Sequence, residues 1–404
     1  MKKSFWEVGH KPTLFASFFY FDLSFMVWVL LGPLAVQIAA DLNLTPAQKG
    51  LMVATPVLTG ALLRIFMGVL VDQIKPKKAG LVGQVIVIAA LLVAWLHGVH
   101  TYQHTLLLGM FLGFAGAAFA VALPLASRWY PPEHQGTALG IAGAGNSGTA
   151  LAALFAPGLA LAYGGWNNVF GLALIPLSIA LIVYMIFAKD APDAPAAKSL
   201  SQYLSVLKDK DAWWFMFFYS VTFGGFVGLA SSLTIYFNDQ YGLTPVHAGY
   251  FTAACVFAGS LVRPFGGLLA DRIGGIRSLT FMYMLAALFL FILSFGMPTQ
   301  AIGLTVVMLA MAALGMGNGA VFQLVPQRFR KEIGVMTGLV GMAGGIGGFY
   351  LASSLGYSKQ VTGSYQVGLL IFAGLAVVAM LGLLGVKTRW RTTWGSATAT
   401  TAKV

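Results

Sequence analysis

Charge is what this sequence has least of. Only 9% of its 404 residues are charged, and just twelve are acidic; a soluble domain carries about 25% charged residues. With 58% hydrophobic residues there is too little polar surface to solvate a folded chain of this length. The sequence therefore reads as an integral membrane protein. Cysteine is nearly absent as well. The single Cys255, in an apolar run, excludes an internal disulfide framework and a cysteine metal site, and suits plain packing. Also missing are a metal-ligand cluster, a nucleophile with its base and a phosphate loop, so neither an enzyme nor a cofactor is expected. His97, His100 and His104 in LHGVHTYQH read as solvated loop residues rather than a metal site. The opening MKKSFWEVGHKP reads as a short arm and not a cleaved leader, because the apolar run after it is too long for an h-region.

What abounds is apolar runs of membrane-crossing length. Twelve spans are expected, the first six near 14–39, 50–72, 79–98, 105–127, 136–160 and 167–188. The second six lie near 213–236, 247–270, 278–296, 301–325, 333–356 and 365–387. The domain plan that follows is an arm over 1–13, a six-helix bundle over 14–188, a linker over 189–212, a second six-helix bundle over 213–387 and a tail over 388–404. Within the linker, Leu200, Leu204 and Leu207 suggest a short surface helix. Of the 24 Lys and Arg, only Lys49 and Lys359 fall on the side opposite the termini, and Arg64 and Arg263 fall inside the membrane. The positive-inside rule then places both termini in the cytoplasm. The formal charge of +12 is accounted for by basic residues facing anionic lipid, so no nucleic-acid partner is expected.

The chain also repeats itself. LTPAQKGLMVATPVLTGALLRIFMGVLVD (44–72) lies over LTPVHAGYFTAACVFAGSLVRPFGGLLAD (243–271) without a gap, at a constant offset of 199. Leu44, Thr45, Pro46, Gly50, Arg64, Gly68 and Asp72 match Leu243, Thr244, Pro245, Gly249, Arg263, Gly267 and Asp271. The copies share one orientation, so the halves relate by an axis along the membrane normal. Twelve spans in a six-plus-six parallel repeat, with GVLVDQIKPKK after span 2 and GGLLADRIGGIR after span 8, resemble the major facilitator superfamily. That resemblance implies a secondary transporter working by alternating access. It also implies gating loops at Gly68 and Asp72 and at Gly267, Asp271 and Arg272, with Gln73 standing where the superfamily's motif has a basic residue.

Two arginines inside a membrane need a reason. A central arginine costs roughly 2.5–3.5 kcal/mol on the translocon scale. Arg64 lies eight residues before Asp72, about 12 Å along a helix, near the middle of a core about 30 Å thick. Asp22 is the one acidic residue expected inside a span, so the positive charge is left for an anion to complete. Arginine offers a planar fork of donors matched to oxyanions and stays charged at any relevant pH. Span 5 (GTALGIAGAGNSGTALAALFAPG) and span 11 (GVMTGLVGMAGGIGGFYLASS) are glycine-rich, which suits close helix packing and a very small cavity.

These helices, with one arginine in each of spans 2 and 8, resemble the nitrate/nitrite porter family. The resemblance implies that Arg64 and Arg263 hold the substrate, together with Gly143, Gly145 and Asn146 of span 5 and the backbone at Gly344 and Gly345. It implies that Phe119, Tyr219 and Phe223 pack above and below the anion. It also implies a bacterial inner-membrane protein whose partners are nitrate, nitrite and protons. The span 1 stretch DLSFMVWVLLGPL is similar to the shorter, proton-coupled class, which favours nitrate/proton symport with function as a monomer.

Asp22 reads either as a titrating group or as a structural carboxylate paired with a neighbouring helix end. Gln323 is a further polar candidate beside the site. Three other readings stay open: nitrate/nitrite exchange, which is electroneutral and needs no titrating group; an organic-anion or organophosphate porter, which needs a wider cavity; and a nitrate receptor or a channel on the same frame.

Overall fold

The computed structural model describes residues 4–192, 200–329 and 332–394. Lys2, Lys3, Lys198, Arg330, Lys331 and Lys403, all assigned above to the terminal side, lie outside the described residues. Twelve helical spans cross the molecule, and no strand occurs among the described residues. The first bundle holds Lys11–Leu42, Pro46–Ile74, Pro76–His97, Tyr102–Ser127, Ala138–Ala162 and Trp166–Phe187. The second holds Lys210–Tyr241, Pro245–Ile273, Gly275–Ser294, Gln300–Arg328, Ile333–Thr362 and Gln366–Thr392. We number these spans 1 to 12. The short helix expected in the linker is Leu200–Val206.

Span 12 continues five residues beyond the expected boundary at 387, into what reads as tail. The reason is packing: Trp390 is fully buried, stacks on Phe215 at 4.7 Å and donates its indole N–H to Asp211 at 2.8 Å.

The repeated Leu-Thr-Pro is a helix-start device. Thr45 and Thr244 are N-caps whose hydroxyls accept the amides of Gln48 and His247 at 3.3 Å, with proline as the first helical residue. The residues two before them, Asn43 and Gly242, end the preceding helices in the left-handed conformation, at φ 51° and 65°.

The two bundles touch backbone to backbone towards the end opposite the termini, here called the distal end. A Cβ on Gly50 of span 2 would come within 2.8 Å of Gly356 Cα on span 11. One on Gly32 of span 1 would sit 2.6 Å from the Ser231 carbonyl of span 7. One on Gly249 of span 8 would sit 2.4 Å from the Ala153 carbonyl of span 5. Small residues at these three crossings let backbones touch. An ion pair seals the same end across the bundles: Lys49 lies 3.3 Å from Asp239, which also accepts the Tyr365 hydroxyl at 2.6 Å. Among the described residues, the ion pairs at the terminal end stay within one bundle: Asp72 with Arg128 at 2.9 Å, and Arg328 and Arg389 with the pair Asp209 and Asp211.

Candidate functional site

Four spans break at mid-depth. Span 1 is interrupted at Val29–Leu30, span 4 at Ala117–Ala118, span 5 by a 3-10 turn over Ala144–Ser147, and span 8 at Val262. Pro264 explains the last: it has no N–H to give Ser260 and crowds that carbonyl. Arg263 is therefore the first residue of a new helix, whereas its repeat mate Arg64, followed by Ile65, stands in an unbroken one.

Arg64 has no exposed surface. Its Nε donates at 3.2 Å to the carbonyl of Gly116, which the span 4 break sets free: the amide of Ala120 turns to Ala117 instead. Its Nη1 donates to the carbonyl of Gly341 in the other bundle. The guanidinium lies 4.9 Å from the Phe119 ring centre, 5.1 Å from Phe223, 5.4 Å from Trp28 and 6.0 Å from Phe25, a cation–π enclosure. Arg263 Nη2 donates to the Tyr219 hydroxyl at 3.3 Å, and its guanidinium lies 5.8 Å from the Phe322 ring centre.

A closed circuit results. Phe119 covers Arg64, Arg64 meets Phe223, and Phe223 stacks on Tyr219 with centres 5.1 Å apart. Tyr219 binds Arg263, Arg263 faces Phe322, and Phe322 returns to Phe119 at 6.3 Å. Neither arginine has a carboxylate partner among the described residues, and each keeps one buried terminal nitrogen, Nη2 of Arg64 and Nη1 of Arg263, with no hydrogen-bond partner there. Uncompensated buried cations of this kind are costly unless something anionic joins them.

The other expected site residues divide. Gly344 adjoins the circuit, since a Cβ there would meet the Tyr219 ring at 2.7 Å and Phe223 at 2.9 Å. Asn146 is 1% exposed, and both polar atoms of its side chain lack a partner. Two glycines turn elsewhere. Gly145 packs on Phe21 and the Asp22 amide and Gly345 on Ala61 of span 2, bringing helices together, while a Cβ on Gly143 would meet only Leu123, at 3.9 Å. Phe119 and Phe223 cover the Arg64 guanidinium itself.

Asp22 is 8% exposed and accepts the Ser147 hydroxyl at 2.7 Å, tying span 1 to the 3-10 turn that carries Asn146. Gln323 lies away from the arginines, its Oε1 against Gly275 of span 9. In the loop motifs, Asp72 pairs with Arg128, while Asp271 and Arg272 are exposed. Gly68 is partly exposed, and Gly267 lies beside Gly319 of span 10. Phe322, Trp28 and the carbonyls of Gly116 and Gly341 are site members that sequence reading misses. Phe322 sits in GAVFQLVPQRF, a stretch whose Gln323 draws the attention instead.

The sequence profile of the Major Facilitator Superfamily covers residues 14–352. The chain belongs to that superfamily. Its fold is shared by a bacterial homologue of the human lysosomal transporter Spinster, solved in an inward-facing and occupied conformation, with a TM-score of 0.68, 17% identity, and 93% of this chain and 96% of that one covered. Within the superfamily the chain belongs with nitrate/nitrite transporters. It is 33% identical to the nitrite extrusion protein of Bacillus subtilis, over 88% of this chain and 89% of that one. It is 34% identical to a probable nitrate/nitrite transporter of Mycobacterium tuberculosis, over 88% and 91%. A probable nitrate/nitrite antiporter of Thermus thermophilus is 29% identical over 91% and 89%. The protein is thus a multi-pass membrane transporter.

Proposed function

We propose that this protein carries nitrate and nitrite across the bacterial inner membrane by alternating access, both termini cytoplasmic, with the anion held between Arg64 and Arg263. The observation that carries the reading is the pair of arginines, one per bundle, Arg64 fully buried and Arg263 half-buried, each with a buried terminal nitrogen lacking a partner and no carboxylate at hand among the described residues. A planar oxyanion fits such forks edge-on. The rings of Phe119, Phe223 and Trp28 enclose the Arg64 guanidinium and Phe322 lies beside that of Arg263, which suits something small. The names borne by the relatives point to the same substrates.

We further propose proton-coupled uptake. Unaided entry of a monovalent anion against a negative interior costs about 2.3 kcal/mol per 100 mV, so a driving ion or an exchanged anion is required. Asp22 supports the first route, as a carboxylate buried within span 1 and joined through Ser147 to the Asn146 turn. Nitrate/nitrite exchange is the second reading, favoured by the arginine pair alone, which serves one anion at a time without any titrating group. Purified protein in proteoliposomes separates the two. Nitrate entry driven by an imposed inward proton gradient supports symport; entry only with internal nitrite supports exchange; entry under neither condition rejects the proposal.

A further inference from the structure

The second bundle lacks what the first has in Asn146. At the corresponding part of span 11 stand Gly344 and Gly345, which have no side chain to offer. We infer that Asn318 of span 10 supplies the missing contact, as a neutral N–H donor to the anion held by the two arginines. This rests on the reading that Arg64 and Arg263 bind a small oxyanion.

Four observations converge on it. Asn318 is fully buried, and neither its amide nitrogen nor its oxygen has a partner among the described residues. A buried amide left so is destabilising, which is tolerated where the group has a use. It stands one helical turn from Phe322, on the same side of span 10, and Phe322 lies 5.8 Å from the Arg263 guanidinium and 5.0 Å from the Tyr219 ring. The adjacent Gly319 packs on the Arg263 backbone, where a Cβ would come within 2.3 Å of its carbonyl oxygen. Lastly, the buried polar atoms without a partner among the described residues include Arg64 Nη2 and the Asn146 amide in one bundle, and Arg263 Nη1 and the Asn318 amide in the other. Each half then contributes one charged and one neutral donor. An amide adds directional N–H groups without a third charge, so the donor set grows while the charge stays within what a small anion can offset.

The test uses the full-length purified protein and two variants. Wild type is titrated first with nitrate and with nitrite; binding of neither ends the functional reading and this inference together. Given wild-type binding, Asn318→Leu is expected to raise the nitrate Kd at least 10-fold, about 1.4 kcal/mol, while the ligand-free melting temperature stays equal or rises because an unsatisfied amide has been removed. A structural role would instead lower the melting temperature. Asn318→Asp, which keeps the shape but turns donors into acceptors, is expected to abolish anion binding and serves if the leucine variant fails to fold. Nitrate binding within twofold of wild type in either variant overturns the inference and leaves the arginine site standing.

Discussion

Arg64 donates from Nη1 to the carbonyl of Gly341, a hydrogen bond that crosses from the N-terminal bundle to the C-terminal one at the centre of the protein. Any rocking of the halves must stretch or break it, just where the guanidinium has a second nitrogen free. Substrate charge and bundle contact are thereby placed on one side chain, so an anion drawing Arg64 towards itself competes with the link that holds the bundles together. The buried Arg64, with close crossings on its distal side, is the arrangement such competition would act upon.

Arg64→Lys is expected to reduce nitrate uptake at least tenfold although the charge is kept. A lysine ammonium cannot reach the Gly116 and Gly341 carbonyls and also lie flat among four rings. Initial uptake rates in proteoliposomes, normalised to inserted protein, measure this. Near-normal rates would count against a fork-shaped contact.

Gly344→Ala should impair transport severely, because the new methyl meets Tyr219 at 2.7 Å and Phe223 at 2.9 Å and must push apart the rings that join the two arginines. Gly374→Ala in span 12, where nothing lies within 4 Å, is the matched control. It should leave uptake unchanged and gain the helical advantage of alanine over glycine, roughly 0.5–1 kcal/mol. Uptake and thermal stability of the two variants are compared side by side; equal effects would show that only helix propensity is at stake.

Asp239→Asn should loosen the distal end. The pair with Lys49 is partly exposed, at 15% and 16% for the two side chains, and such a pair alone contributes about 0–1 kcal/mol. Asp239 also accepts from Tyr365, a bond that the asparagine oxygen can keep, so the substitution removes the charge and with it the pair to Lys49. The amide of Ala47 meets the Gln360 side chain at 3.0 Å across the same crossing, so cysteines at 47 and 360, in a Cys255→Ala background, report on closure. Crosslinking should fall in the Asp239 variant. Undiminished crosslinking would mean that the glycine contacts alone keep this end shut.

Asp22→Asn should abolish nitrate uptake driven by a proton gradient while sparing exchange for internal nitrite. Asparagine can still accept the Ser147 hydroxyl through its amide oxygen, so the tie to span 5 survives and only the ionisable proton is lost. Both activities are measured in the same vesicle preparation. Survival of gradient-driven uptake would remove Asp22 from the coupling step.

Much of this protein was legible in its residues before any coordinates. Hydropathy marks all twelve spans, since a lipid core tolerates only long apolar helices with their backbone bonds closed internally. The offset of 199 displays the two halves. Arg64 and Arg263 stand out because a charge in such a chain is rare and its countercharges can be counted. The breaks were harder to see. Pro264 accounts for the one in span 8, but the 3-10 turn beside Asn146 has no equally plain marker among its small residues.

What the sequence by itself determined is which groups stand out in a membrane: two guanidiniums without carboxylates, and two helices dense in glycine. Only the tertiary structure decided what faces what. Helices apolar on every side carry no hydropathy signal for their rotation, so nothing in the chain distinguishes Phe322, which meets Arg263, from the many phenylalanines that face lipid. The same blindness hid the carbonyls of Gly116 and Gly341, because every residue has one. A carbonyl becomes a ligand only when the fold presents it to a buried cation.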